Sequence, residues 1–188
     1  MEKRTVKQEM ELYLDNCIKQ GNNVFEFYYD EDFDNVYLMN INVNSEENEQ
    51  FIRIPSFVSY VHYSVIADNK KLNSCKIFIP KECEIEWNYG KWETGRKQKF
   101  FHSAKEIIIE EGHPQFLYED GVVFNGNKKE LLIYPSNKKD EDYAIPENVT
   151  TVGIDAFLNN EHLRRLYIPK KVRKIEPCMF DSRVRINV

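Results

Sequence analysis

The 188-residue sequence has no apolar run approaching the roughly 18 to 20 residues that a membrane-spanning helix needs. Its four cysteines, Cys17, Cys75, Cys83 and Cys178, are scattered, with no C-x-x-C and no close Cys/His spacing. Disulfide scaffolds are far denser in cysteine and zinc sites need clustered ligands, so all four are expected as reduced, mostly buried thiols. There is no G-x-G-x-x-G, no P-loop and no G-x-S-x-G, which removes the local signatures of dinucleotide, phosphate and hydrolase chemistry. The opening stretch "MEKRTVKQEMELYLDN" is charged throughout and has no apolar h-region, so a cytoplasmic location is expected. Neither a catalytic residue, a metal, a cofactor nor a membrane partner is expected.

What remains is a chain that can fold. Hydrophobic residues make up 41% and aromatics 13%, enough for the core of one domain and too rich for disorder. The net charge of −5 hides an asymmetry: residues 1–50 carry twelve acids and four bases, residues 160–188 three acids and eight bases.

Between Asp142 and Phe180 one phrase is said twice. From Ile145, the residues Pro146, Val149, Val152, Ala156, Phe157 and Leu163 follow at +1, +4, +7, +11, +12 and +18; Ile168 opens the next unit 23 residues on, with Pro169, Val172, Ile175, Met179 and Phe180 at the same first five offsets. From Ile54, Pro55, Val58, Val61, Val65, Ile66 and Leu72 fall in that register too. "CKIFIPKECEIEW" and "AKEIIIEEG" supply degenerate copies, the second without the proline, and "NYGKWETGRKQKFFHS" holds an insertion. Such a period is the mark of a solenoid, because no unit can bury its apolar face alone and neighbours must supply one another's core. Each unit has a short alternating strand ended by the proline, which has no N–H to donate; the Val and Phe positions fold back and stack on their equivalents. Successive coils are expected to share one apolar interior.

This spacing resembles the BspA-type leucine-rich repeats, L-x-x-I-x-I-P-x-x-V-x-x-I-x-x-x-A-F, over residues 50–188. The stretch at about 115–135 is similar to a hairpin insertion of that family, with Asp120-Gly121 and Asn125-Gly126-Asn127 as its turns. Where the family often has Cys three residues after the Phe, this chain has Asn160. The resemblance implies an α+β, mostly β fold: a leucine-rich-repeat solenoid of about five short coils with a hairpin insertion, acting as a non-catalytic protein-binding module. Members with leaders are surface adhesins, a lesser alternative here.

Residues 1–49 stand outside the repeat and read as a cap: a helix with Val6, Met10, Tyr13, Leu14, Cys17 and Ile18 on one face, a Thr5/Gln8 capping box, and two strands joined by "DEDFDN". Such a lid covers the open end of the first coil. Strand alternation sends out a column of Arg53, Phe78, Ile108, Ala144 and Tyr167, beside a second of Phe51, Lys76, Glu106, Asp142 and Arg165. Of these, Phe51, Arg53, Phe78, Ile108, Arg165 and Tyr167 form the candidate surface for a protein partner, an aromatic ladder flanked by charge. Asp30, Asp32 and Asp34 begin like a calcium loop, but Asn35 and Ile41 stand where its glycine and bidentate glutamate belong, so a solvated turn is expected. The alternative function places the acidic loop Asp30, Glu31, Asp32 and Asp34 in the basic groove of a toxin or defence nuclease as a nucleic-acid mimic. The basic run "HLRRLYIPKKVRK" flanks buried Val172, so nucleic acid is not the expected partner.

Overall fold

A computed structural model describes residues 4–20, 24–43, 50–86, 104–153, 156–158, 160–175 and 183–187. Expectations that fall on Gly21, the acidic run at 44–49, residues 88–103, Cys178, Met179 and Phe180 lie outside them.

Helix α1 (Val6–Gln20) starts on the expected capping box: Thr5 N–H donates to Gln8 Oε1 at 3.1 Å and Gln8 N–H to Thr5 Oγ1 at 3.3 Å. Its Val6, Met10 and Tyr13 pack on the core, Tyr13 meeting Phe25, Phe27 and Phe57 edge-on or tilted. Strands β1 (Phe25–Asp30) and β2 (Asn35–Ile41) form an antiparallel hairpin around the acidic turn.

The coils then follow, each with an outbound strand, a turn and a return strand. β3 (Phe51–Arg53), β5 (Lys76–Ile79) and β7 (Glu106–Ile109) are parallel outbound strands. β4 (Tyr60–His62) and β6 (Glu84–Glu86) return, extending β2 into a second ladder in the order β1-β2-β4-β6. The Ile-Pro motif makes the turn between them. Val58, Cys83, Val149 and Val172 each donate their N–H to the carbonyl of the proline three residues back, at 3.0, 3.1, 3.0 and 3.0 Å. The offset of the buried Val from Pro is thus the closing bond of one tight turn, repeated per coil. Without proline, Glu110 plays the same part, its carbonyl taking His113 N–H at 3.2 Å. Short helix α2 (Tyr63–Ala67) and a 3-10 turn at Lys70–Ser74 bring the first coil back, burying Ile66 and Leu72.

The insertion is a wall. β8 (Phe116–Glu119), β9 (Val122–Asn125) and β10 (Glu130–Ile133) form an antiparallel meander, with Asp120 and Gly121 both at positive φ in the two-residue turn. A Cβ on Gly126 would meet the Pro114 carbonyl oxygen at 2.5 Å, so the second turn admits only glycine. β10 then pairs in parallel with β12 (Thr151–Val152), which pairs with β14 (Lys174–Ile175), while β11 (Asp142–Ala144), β13 (Arg165–Tyr167) and β15 (Arg185–Asn187) make a new outbound ladder. The molecule is a solenoid of about five coils in two stacks, each led by an antiparallel hairpin whose last strand begins the return ladder.

The expectation of one shared interior is corrected here. Val123 and Leu132 face a core built by Val36, Leu38, Val58, Val61, Ile77, Cys83 and Ile85; Val122, Phe124, Leu131 and Tyr134 face a second core with Ile145, Val149, Val152, Phe157 and Leu166. Period-two alternation makes this division in β9, while in β10 a register shift between Leu131 and Ile133 leaves both Leu132 and Ile133 in the first core. Val149, Phe157 and Val172 do stack in the second core, with Tyr134 stacked on Phe157 at 5.1 Å.

Polar side chains seal the seams. His113 occupies the buried Val position of its coil; its Nε2–H donates to Cys83 O at 3.0 Å and Nδ1 accepts Gln115 N–H at 3.1 Å, which specifies the neutral ring. Gln115 then serves as a one-residue strand on the open edge of β6, accepting Ile85 N–H at 2.8 Å and donating to Ile85 O at 3.0 Å. Buried Asn160 uses all its capacity, donating to Pro135 O and Lys138 O at 2.7 and 2.9 Å and accepting His162 and Leu163 N–H at 2.9 and 2.8 Å. Asn160→Ala should therefore cost about 2–4 kcal/mol in urea unfolding, from buried backbone groups left unpaired.

Burial holds the His113 pKa below its ordinary 6.5. The unfolded chain binds that proton first, so stability present above pH 6.5 should fall as pH drops from there toward the folded value, by up to about 1.4 kcal/mol per unit. His113→Val, the residue other coils use, should flatten that part of the stability profile between pH 7.5 and 5.5, measured against wild type by denaturant melts.

Candidate functional site

A solenoid offers its ligands flat outer faces, because interior positions are consumed by stacking. On the first outbound ladder, register places Phe51, Lys76 and Glu106 in one column and Arg53, Phe78 and Ile108 in the next. Buried Ile52, Ile77 and Ile107 alternate with them, which turns both columns outward. Phe51 is 55% exposed. The Arg53 guanidinium lies 3.8 Å from the Phe78 ring centroid and 5.9 Å from that of Phe51, a cation held between two aromatics. Lys76 and Glu106 pair at 2.9 Å, and Tyr118 donates its hydroxyl to Glu106 at 3.1 Å. Burial and that carboxylate push the Tyr118 phenol up to about 12.

Tyr167 and Arg165 belong to the other ladder. Tyr167 pairs in register with Ala144 and Asn187 and is 44% exposed; Arg165 forms a two-point contact with Asp142, which holds that carboxyl below its ordinary range. The expected continuous column from Arg53 to Tyr167 is therefore interrupted after Ile108. The chain between Ile109 and Asp142 is spent on the wall, whose last strand enters the return ladder, so β11 has no hydrogen-bonded neighbour in β7.

The acidic turn is knitted locally. Asp30 Oδ1 accepts Asp32 N–H at 3.0 Å, Glu31 pairs with Lys7 at 3.0 Å, and Asp34 accepts the Tyr29 hydroxyl at 2.7 Å, raising that phenol to about 12. Phe33 stands at its tip, 73% exposed. Among the described residues no group of three His, Cys, Asp or Glu gathers as metal ligands, and no helix is long and apolar enough to cross a membrane. The basic coil keeps Lys170, Lys171, Arg173 and Lys174 exposed around half-buried Val172. A shallow cleft of about 460 Å³ beside α2 is lined by Met39, Asn42, Ser64, Asp68 and Lys71. Ser64 there touches His62 Nδ1 at 2.6 Å as part of the helix cap, since the same nitrogen takes Ser64 N–H.

Sequence reasoning missed a second outward face. The repeat spacing assigns the return strands to stacking positions, yet β1, β2, β4 and β6 make a full ladder whose outer side carries Tyr28, Tyr37 and Tyr60 in one row. The signal was present: Tyr60 and Tyr37 each precede an interior residue, Val61 and Leu38.

Some solved structures are similar to part of this chain. The pneumococcal vaccine antigen PcpA is 23% identical with a TM-score of 0.47, over 68% of this chain and 35% of that one. A leucine-rich repeat protein of Eubacterium ventriosum is 19% identical with a TM-score of 0.44, over 66% and 42% of the two chains. A leucine rich cell surface protein of Faecalibacterium prausnitzii is 13% identical with a TM-score of 0.32, over 81% and 71%. The fold is similar to that of bacterial leucine-rich-repeat proteins. This chain spans only 35% and 42% of the length of the first two. No family model matches the sequence, and no curated protein matches it.

The thiols give a test of the first core. Cys83 and Cys75 occupy buried positions, and burial pushes the Cys83 thiol up to about 12 and raises Cys75. Both should resist iodoacetamide in the native protein and label fully in denaturant, read by peptide mass mapping; native labelling of Cys83 would contradict the packed column.

Proposed function

We propose that the chain is a non-catalytic module that binds a partner protein through the outward ladder of Phe51, Arg53, Phe78 and Ile108, with Arg165 and Tyr167 as a second patch. The observation that carries this is the Arg53 guanidinium over the Phe78 ring at 3.8 Å, with the Phe51 ring centroid 5.9 Å away. Arginine and aromatic side chains dominate binding energy at protein interfaces, and a guanidinium already immobilised on rings loses little entropy on association. Lys76 and Glu106 supply a polar rim beside it. The neutraliser reading is less well supported by the geometry of the turn, where Glu31 and Asp34 are engaged by Lys7 and Tyr29.

Affinity capture with wild type, Phe51→Asp/Arg53→Ala and Tyr167→Asp, each checked for an unchanged melting profile, tests the assignment. A partner held by wild type should be lost by the first variant and weakened by the second. If the folded first variant retains every captured protein, the ladder is not the binding surface.

A further inference from the structure

The outer side of the first return ladder has a composition of its own. Register aligns Tyr28 with Tyr37, Tyr37 with Tyr60 and Tyr60 with Glu84. The adjoining positions Leu38, Val61 and Ile85 are buried, so the tyrosine row points outward. Ring centroids are 6.0 Å apart for Tyr28–Tyr37 and 5.1 Å for the stacked Tyr37–Tyr60 pair. Tyr28, at the edge, is 56% exposed, and Met39 beside the row is also exposed.

Among the described residues of its strands, the charge on this face has one sign. The four strands carry Glu26, Asp30, Glu84 and Glu86 and not one lysine or arginine. The first outbound ladder, on the opposite side of the same core, carries Arg53 and Lys76. Burial first, then Glu86 at one border and Asp30 at the other, raise the Tyr37 phenol, so the fields of the two carboxylates overlap over the middle of the row.

We propose that this tyrosine face docks an extended, Lys/Arg-rich segment of a partner protein, with cationic side chains on the Tyr28–Tyr37–Tyr60 row between the carboxylates of Glu26 and Asp30 on one flank and Glu84 and Glu86 on the other. A guanidinium lies flat on an open phenol ring and its remaining N–H groups reach carboxylates, the pairing that planar, weakly hydrated cations favour. Nucleic acid also stacks on aromatic rows, but its phosphates would meet only carboxylates here. This surface goes beyond the outbound ladder assigned above and stands without it.

Fluorescence anisotropy with a labelled nona-arginine peptide at low salt tests the proposal. Tyr28→Ser/Tyr37→Ser/Tyr60→Ser leaves the net charge unchanged, so simple attraction to an acidic protein would survive it; binding should weaken at least about tenfold. Tyr28→Ser alone, on the exposed edge strand, guards against misfolding of the triple variant and should weaken binding about threefold. Glu84→Gln/Glu86→Gln should weaken it more than Glu147→Gln/Glu161→Gln, the same charge change on the second stack. Phe51→Asp/Arg53→Ala should still bind the peptide, which separates this face from the outbound ladder. The proposal is overturned by no binding to wild type, by equal binding to wild type and folded Tyr28→Ser, or by equal losses from the two Glu→Gln pairs. It is also overturned if a labelled single-stranded oligonucleotide binds in place of the peptide and is lost with the tyrosines.

Discussion

The meander between Phe116 and Ile133 has almost no solvent side, and the rest of the solenoid is organised around that constraint. Successive residues of β9 face opposite cores, with Val123 in one and Val122 and Phe124 in the other; β10 sends Leu131 to the second core and, across a register shift, Leu132 and Ile133 to the first. A strand buried on both faces cannot slip by one residue without exchanging every side chain between two packed interiors. That fixes the register of β10, and through it the parallel pairing with β12 and β14. The turns that hold the wall are equally constrained: Gly121 sits at φ +84, and Gly126 lies against the Pro114 carbonyl. One tension remains inside it, because the buried Tyr134 hydroxyl has no hydrogen-bond partner among the described residues while its ring is stacked on Phe157.

A wall of this kind both ends one stack and begins another. The last return strand of the first stack, β6, would otherwise offer open backbone groups; the Gln115 amide and the His113 ring close that seam with side chains. The N-terminal hairpin does the same work at the other end, with α1 laid over Phe25, Phe27 and Phe57. Each stack is thus led by an antiparallel hairpin whose last strand starts its return ladder. Among the described residues the outbound strands have no such lid, and β15 leaves Ile186 half exposed in line with buried Leu166.

The same division shapes function. Because interior positions are fully occupied by stacking, chemistry is left to outward columns, and the wall cuts those columns into patches. The first stack presents two faces with different character: arginine held on phenylalanine along one, tyrosines among carboxylates along the other. The second stack presents charge pairs instead, with Arg165 on Asp142 and Lys138 between Asp120 and Asp140. The two surfaces proposed on the first stack have no residue in common.

The coil itself was legible from the amino acids. Pro-x-x-Val spacing is the covalent image of one hydrogen-bonded turn, and period-two alternation is the image of a strand, so Ile54, Val58, Val61 and their equivalents declare their burial locally. The capping box at Thr5 and the Asp120-Gly121 turn are local as well, and both formed as read. The outward column of Arg53, Phe78 and Ile108 followed from alternation alone. Three features did not follow, because each depends on which strand lies beside which. They are the two-sided burial of the wall, the break between Ile108 and Tyr167, and the tyrosine row assembled from the hairpin strands β1 and β2 together with β4. Local periodicity states which way a residue points; only the tertiary pairing, driven by the need to cover both faces of β9 and β10, decided what it points at.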